Sequence, residues 1–150
     1  MRPTENFRRQ HTELAAILSQ LAAWLEPKVL QSDASEVRRL LISFAAKLKI
    51  HHSLEDDYLY PRLVECPDQT MSTIARRCQQ ELCGTSKKCM EYTERWKSPG
   101  KIEASPIEFI TQTRQVISDL RTRISREDND LYEAFDRLTP QQALNVLTHT

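Results

Sequence analysis

The sequence predicts an all-α protein, an up-down-up-down four-helix bundle with a short C-terminal helix. Four long segments repeat apolar residues at the spacing of one helix face, and the connections between them are short. The 150-residue chain contains only two glycines, Gly84 and Gly100, which disfavours a sheet protein rich in tight turns. Long helices joined by short loops pack antiparallel to their neighbours, which is the arrangement of a bundle.

The first helix is predicted over about residues 5 to 25, ending before Pro27. Its inner stripe comprises Phe7, His11, Leu14, Leu18, Leu21 and Leu25. The second helix is predicted over about residues 36 to 63, with Pro61 closing or kinking it near its end. Its inner stripe becomes polar towards the end and comprises Val37, Leu41, Phe44, Leu48, His51, Glu55 and Tyr58.

The third helix is predicted over about residues 70 to 96, before the break at residues 98 to 100. Its inward positions are Ile74, Cys78, Leu82, Thr85, Cys89 and Tyr92. The fourth helix is predicted over about residues 106 to 138, with Ile110, Ile117, Leu120, Ile124, Leu131 and Phe135 inside. Pro140 is suited to the first turn of a short terminal helix over residues 141 to 147.

Length and composition favour one domain over residues 1 to 150, with its core at about residues 5 to 138. Lys+Arg and Asp+Glu both number 21, so neither nucleic acid nor an anionic membrane is an expected partner. No apolar run could cross a bilayer, and residues 1 to 13 do not resemble an export signal. We therefore expect a cytoplasmic protein, and a protein partner or a homo-oligomer stays open.

The cysteines do not point to a particular chemistry. Cys66, Cys78, Cys83 and Cys89 could form two disulfides, but without an export signal reduced thiols are expected. No CxxC pair is present, which disfavours a thiolate zinc site. The scarcity of glycine likewise disfavours a phosphate-binding loop.

Polar residues interrupt the inner stripes of three helices. His11 lies one turn after Phe7, and His51 and Glu55, four residues apart, project from one face of the second helix. Glu127 lies on the inner face of the fourth helix. A core-facing carboxylate is rare unless it is paired, hydrogen-bonded or bound to metal. These residues therefore indicate a metal site, and imidazole with carboxylate suits iron, manganese or zinc better than calcium.

Each of these residues also has an interpretation without metal. The His51–Glu55 spacing is expected by chance about half the time in a chain with this many acids, so it decides little alone. A single inward histidine such as His11 is more often hydrogen-bonded in the core than a ligand. Glu55 and Glu127 could be held by Arg123, which lies one turn before Glu127, or by a tyrosine such as Tyr58.

Other titratable residues lie outside the inner stripes. His52, Asp56 and Asp57 are offset from the stripe of the second helix and are predicted on its solvated face. His149 lies at the chain terminus and is predicted to have no function.

The stretch HHSLEDDYLYP, residues 51 to 61, resembles the second-helix motif HHxxEExxLYP of the hemerythrin-like, or HHE cation-binding, family. Residues 7 to 21, FRRQHTELAAILSQL, match the early histidine of the family, and residues 123 to 135, RISREDNDLYEAF, are a weaker match. The resemblance covers about residues 5 to 138. It implies a four-helix bundle in which carboxylates bridge two irons, used to bind or sense dioxygen or to sense iron.

Transferred residue by residue, the resemblance supplies half of that site. His11 and His51 match the terminal ligands of one iron. Glu55 and Glu127 match the two bridging carboxylates. The resemblance therefore implies four metal ligands and at most one divalent metal, an iron or zinc ion, or none.

The second iron would need histidines where this chain has Leu82 and Arg123. Leucine cannot bind a cation, and a guanidinium does not deprotonate to become a ligand. Arg123 instead places a fixed positive charge where the second metal would lie. We expect it to contact Glu127 and to reach towards Glu55.

Three functions compete. The first is a binding or sensory module, not an enzyme, that holds at most one divalent metal. The second is a metal-free bundle that acts as a scaffold or interaction protein, with Arg123 replacing the lost metal. The third is a di-iron dioxygen-binding protein in which Cys78 or Cys83 substitutes for histidine. An acid–base enzyme lacks a recognisable nucleophile and oxyanion donors.

Overall fold

The computed structural model describes residues 2–148, and over that range the protein is helical and contains no strand. The predicted all-α fold class is confirmed. The α-helices within the described residues are α1 Glu5–Ala22, α2 Pro27–Ser32, α3 Ser35–Ser53, α4 Tyr60–Glu65, α5 Gln69–Leu82, α6 Gly84–Trp96, α7 Lys101–Ala104, α8 Pro106–Arg126, α9 Tyr132–Asp136 and α10 Pro140–Thr148. Two π-helical turns, Leu54–Leu59 and Glu127–Leu131, join α3 to α4 and α8 to α9. His149 lies outside the described residues.

The long helices enclose the core as a bundle. α1 packs against α3 and α8, and α6 packs against the same two helices from the other side. Towards one end of the bundle, α5 packs against α4 and α9, and α10 contacts α4. Among the residues described, none of the helices combines the length and the apolar character needed to span a membrane.

The apolar core consists of two clusters with polar side chains between them. Leu48 belongs to the larger cluster and Leu59 to the smaller one. Between these two leucines, the side chains of His51 and Glu55 are buried. The same order of apolar, polar and apolar residues recurs along α8 and α9. The polar side chains thus form a layer that is sealed from solvent on both sides by hydrocarbon.

The second long helix continues past Pro61 to Glu65, near the end predicted at about residue 63. A proline lacks the amide hydrogen, and its ring conflicts with the carbonyl one turn earlier, so a regular helix is disrupted by it. Here Pro61 directly follows the π-helical turn and lies in the first turn of α4, which continues to Glu65. The proline is accommodated where the regular hydrogen-bond pattern is already interrupted.

The other differences from prediction lie at helix ends. α1 stops at Ala22, and Pro27 begins a short helix instead of merely ending the previous one, because proline is well tolerated in a first helical turn. The third long helix is divided at Cys83 into α5 and α6. α7 follows Gly100, whose φ of 84° is in the left-handed region that favours glycine.

Leu41→Ala and Leu120→Ala are each expected to lower the free energy of unfolding by ~2–5 kcal/mol. Both leucines are buried in the larger cluster, so truncation removes apolar contacts and leaves a cavity. Ile42→Ala is the matched control, because Ile42 neighbours Leu41 but is 55 % exposed. Chemical denaturation followed by circular dichroism measures the change. Losses below about 0.5 kcal/mol at both leucines would contradict the assigned inner face.

Candidate metal centre

Four potential ligands converge in the polar layer. His11 comes from α1, His51 from α3, and Glu55 and Glu127 from the two π-helical turns. One ring nitrogen or carboxylate oxygen from each residue lies within 4.8 Å of the corresponding atoms of the other three. None of the four residues is more than 2 % exposed. The structure thus brings together all four residues predicted as ligands.

Both imidazoles are oriented by an acceptor on their outer nitrogen. Nδ1 of His11 lies 2.7 Å from the Asp128 carboxylate, and Nδ1 of His51 lies 2.5 Å from the side-chain oxygen of Gln10. Because both partners accept, Nδ1 is the protonated donor in each ring. The Nε2 atom of each histidine therefore faces the cluster, and in a neutral ring its lone pair is available to a metal.

Each carboxylate has one satisfied oxygen and one orphaned oxygen. Oε2 of Glu55 accepts from the Tyr132 hydroxyl at 3.0 Å, and Oε2 of Glu127 accepts from the Tyr60 hydroxyl at 2.7 Å. Both Oε1 atoms are buried and have no hydrogen-bond partner within residues 2–148, and the same is true of Nε2 of His51. Three of the four buried side-chain atoms that lack a hydrogen-bond partner among the described residues thus belong to the four-residue cluster, and the fourth is Oε2 of Glu103.

The residues present fit a metal ion. A buried polar atom without a partner costs about 1–3 kcal/mol, so orphaned atoms converging on one point need an explanation. Nε2 of His51 even contacts Oε1 of Glu55, and Nε2 of His11 lies 3.2 Å from Oε1 of Glu127. A cation accepts lone pairs from all of these atoms at once. Two imidazole nitrogens and two carboxylate oxygens are donors that suit iron, manganese or zinc.

In the absence of a cation, protons compensate the buried charge. Burial and the neighbouring charge of Glu55 raise the pKa of Glu127 to about 8. Burial alone would lower the pKa of His11, but hydrogen bonds to carboxylates, that of Asp128 foremost, raise it to about 11. Burial would raise the pKa of Glu55, yet the close approach of the His11 and His51 imidazoles to its Oε1 atom holds it well below its usual range. A metal would therefore compete with protons for these atoms.

Arg123 occupies the other side of the cluster and is only 1 % exposed. Its Nε donates to Oε2 of Glu127 at 3.1 Å, as predicted. Its other nitrogens do not hydrogen-bond to Glu55 but donate to Asp56 at 2.7 Å and to Ser86 at 2.8 Å. Ser86 in turn donates to Asp56 at 2.6 Å, which closes a network around the guanidinium.

Two residues assigned to the solvated face lie elsewhere. Asp56 is only partly exposed and pairs with Arg123, and His52 is 7 % exposed, where burial, then the charge of Arg123, lowers its pKa to about 3. Asp57 is exposed, as predicted.

The hydroxyl of Tyr58 donates to the carbonyl of Leu147 in α10 and holds no glutamate. The π-helical turn explains Asp56 and Tyr58, because one extra residue rotates the following side chains by roughly 100°.

In the third long helix, Leu82 does not occupy the ligand position that the resemblance implied for it. Leu82 lies in the smaller apolar cluster, at 6 % exposure, and contributes to packing there. The residue that faces the guanidinium of Arg123 is Ser86, in α6. Ser86, Asp56 and Arg123 itself therefore border the side of the cluster where the resemblance implied a second metal.

Sequence reasoning missed four residues around the cluster: Gln10, Tyr60, Asp128 and Tyr132. For the tyrosines a signal was present, because each follows a candidate ligand glutamate by five residues. Five residues is not an α-helical repeat, so the spacing has meaning only once a π-helical turn is known. For Gln10 the sequence contains no distinguishing signal.

A helical bundle in which two buried histidines and two buried carboxylates converge has the donor set of a cation-binding protein. The chain belongs to the hemerythrin family: the model described as Hemerythrin HHE cation binding domain matches residues 2–135. Comparisons with curated proteins and with solved structures gave no significant match. Family membership, together with the histidine–glutamate cluster, implies a metal-binding module. α10 lies beyond the matched residues.

Proposed function

We propose that the protein is a binding or sensory module that holds one divalent metal, iron foremost, through His11, His51, Glu55 and Glu127. The observation on which this rests is the unequal use of the carboxylate oxygens. Oε1 of each glutamate is unpaired and faces the cluster, whereas Oε2 is held by hydrogen bonds. A carboxylate that bridges two metals with one oxygen on each needs both oxygens, but in these two glutamates Oε2 is already hydrogen-bonded.

The environment of Arg123 also favours a single metal. A guanidinium is permanently charged and has no lone pair to donate, so it repels a second cation and cannot bind it. Its hydrogen bonds to Glu127, Asp56 and Ser86 fix it at the border of the cluster. A second metal would have to displace a buried cation from three partners.

A sensory role would follow from the energetics of the site. Bound iron would supply a redox-active centre, whereas bound zinc would supply charge alone. The chain's own residues orient the donors, neutralise part of their charge and exclude water, since the ligands are sealed between apolar clusters. A ligand that binds only the folded state stabilises it by about 2.7 kcal/mol at one hundred times its Kd. Metal availability would thereby control the stability of the bundle, which is a binding role and not a catalytic one.

The second candidate function is a metal-free scaffold, and the pairing of Arg123 with Glu127 favours it. The arginine neutralises one buried carboxylate without metal. The raised pKa of His11, about 11, allows an imidazolium to neutralise the other. In that case the bundle would keep its fold through internal ion pairs, and its function would be to bind a protein partner through its surface.

Metal content separates these functions. We expect elemental analysis of aerobically purified protein, loaded with iron or zinc and desalted, to give one metal per chain with little visible absorption. His51→Ala should abolish binding, whereas His52→Ala should not, although both remove a buried imidazole of equal size. Two tightly bound irons with strong visible absorption would refute the single-metal proposal. Absence of metal, with the same unfolding curve in chelator and in added metal, would favour the scaffold.

A further inference from the structure

Two tyrosines connect the glutamates of the cluster across the bundle. The hydroxyl of Tyr60, after the first π-helical turn, donates to Glu127 in the second one. The hydroxyl of Tyr132, after the second π-helical turn, donates to Glu55 in the first one. The two pairs are reciprocal, since each helix provides a glutamate and the tyrosine that holds the other helix's glutamate.

The π-helical turns are what allow this arrangement. In each helix the tyrosine follows the glutamate by five residues, and its amide donates to the glutamate's carbonyl, which is the hydrogen bond of a π-helix. In an α-helix, side chains five residues apart point roughly 140° away from each other and could not share an inner face. The wider turn brings Glu55 and Tyr60, and likewise Glu127 and Tyr132, to the interior together. Both tyrosines are buried.

We propose that Tyr60 and Tyr132 are positioning residues for the metal centre, each binding Oε2 of one glutamate so that only Oε1 is left to bind a metal. This inference rests on the proposed metal-binding function and adds the residues that determine how the carboxylates bind. Without the hydroxyl, a carboxylate can rotate and present both oxygens or neither. Hydrogen-bonded partners of metal ligands typically change metal affinity 10–100-fold.

The two tyrosines should not be equivalent. When the Tyr60 hydroxyl is removed, Oε2 of Glu127 still accepts from Nε of Arg123 at 3.1 Å. When the Tyr132 hydroxyl is removed, Oε2 of Glu55 has no hydrogen-bond donor left among the described residues. The loss should therefore be larger for Tyr132→Phe than for Tyr60→Phe.

Cobalt(II) binding to the full chain tests this inference, because the ion has visible absorption bands that report its ligands. Affinity is measured by competition with a coloured chelator, and the bands are recorded at saturation. Tyr92→Phe is the matched control, since it removes a buried hydroxyl that hydrogen-bonds to Thr113 at 2.7 Å and to none of the four ligands. We expect Tyr132→Phe to weaken binding about 10–100-fold and to shift the bands, Tyr60→Phe to do so less, and Tyr92→Phe to do neither.

The outcomes are separable. Parent affinity and parent spectrum in both Tyr132→Phe and Tyr60→Phe would overturn the positioning role and leave the metal site intact. An equal loss in Tyr92→Phe would also overturn it, because the effect would then be one of general stability. A parent protein that binds no cobalt(II) would overturn the proposed function, and this inference with it. If Tyr132→Phe does not fold by circular dichroism, Tyr60→Phe decides, since Arg123 still satisfies its glutamate.

Discussion

Arg123→Met is expected to lower the free energy of unfolding of the metal-free protein by about 3–5 kcal/mol, because it removes one partner from the buried Arg123–Glu127 ion pair. The guanidinium donates to Glu127, Asp56 and Ser86, and Glu127 is itself almost fully buried. Methionine keeps most of the length of arginine but provides neither charge nor donors. The measurement is chemical denaturation in the presence of chelator.

The matched control for this prediction is Arg121→Met, which changes an exposed arginine two residues away on α8. We expect that variant to differ from the parent by no more than about 0.5 kcal/mol. Added zinc or iron should restore part of the stability lost in Arg123→Met, since a cation again compensates the two glutamates. Parent-like unfolding of Arg123→Met in chelator would show that the arginine is not needed to neutralise the site.

The inner faces of the helices could be predicted because one period governs most of each helix. His11 and His51 lie in phase with leucines that are buried, so the apolar stripe located them. Arg123 and Glu127 were also located by the stripe, as they are four residues apart in the fourth helix. For these residues local periodicity and final position agree, since nothing between them interrupts the α-helical repeat.

Prediction failed where the helical repeat changes, and where the packing of neighbouring helices determines which side chains are buried. The π-helical turn beginning at Leu54 moves Asp56 towards Arg123 and Tyr60 towards Glu127, and no local sequence rule gives its position. His52 is buried although it lies off the stripe, in a helix that packs against both α1 and α6. Short helices such as α2 depend on packing more than on periodicity, because six residues hardly define a repeat.

The polar layer links metal binding to the stability of the bundle. Apolar clusters lie on both sides of the layer, so every charge in it must be compensated by a neighbour, a proton or a cation. Arg123 compensates one side permanently. On the other side, the Oε1 atoms of Glu55 and Glu127 lack a hydrogen-bond partner among the described residues, and their charge can be compensated either by protons or by a metal. The asymmetry between the two sides is the physical basis for expecting one metal and not two.

Reversing that asymmetry should create a second metal site: Ser86→His combined with Arg123→His is expected to raise metal stoichiometry towards two per chain. The arginine's removal frees Oε2 of Glu127 from one of its donors and releases Asp56 from its ion pair. Histidines at the two positions that now contact each other would supply nitrogen donors on the third and fourth long helices. Elemental analysis of iron-loaded and zinc-loaded protein gives the stoichiometry.

Two variants control for this design. Arg123→Met removes the cation without adding ligands and should remain at one metal. Leu82→His with Arg123→His adds the same two histidines but places one in the smaller apolar cluster, where it should reduce stability without adding a metal. If the Leu82 design gains a metal and the Ser86 design does not, the side chain that faces the vacated position has been misassigned. If neither gains one, the space beside Arg123 is too small for a second cation, and steric exclusion, more than charge, limits the site to one metal.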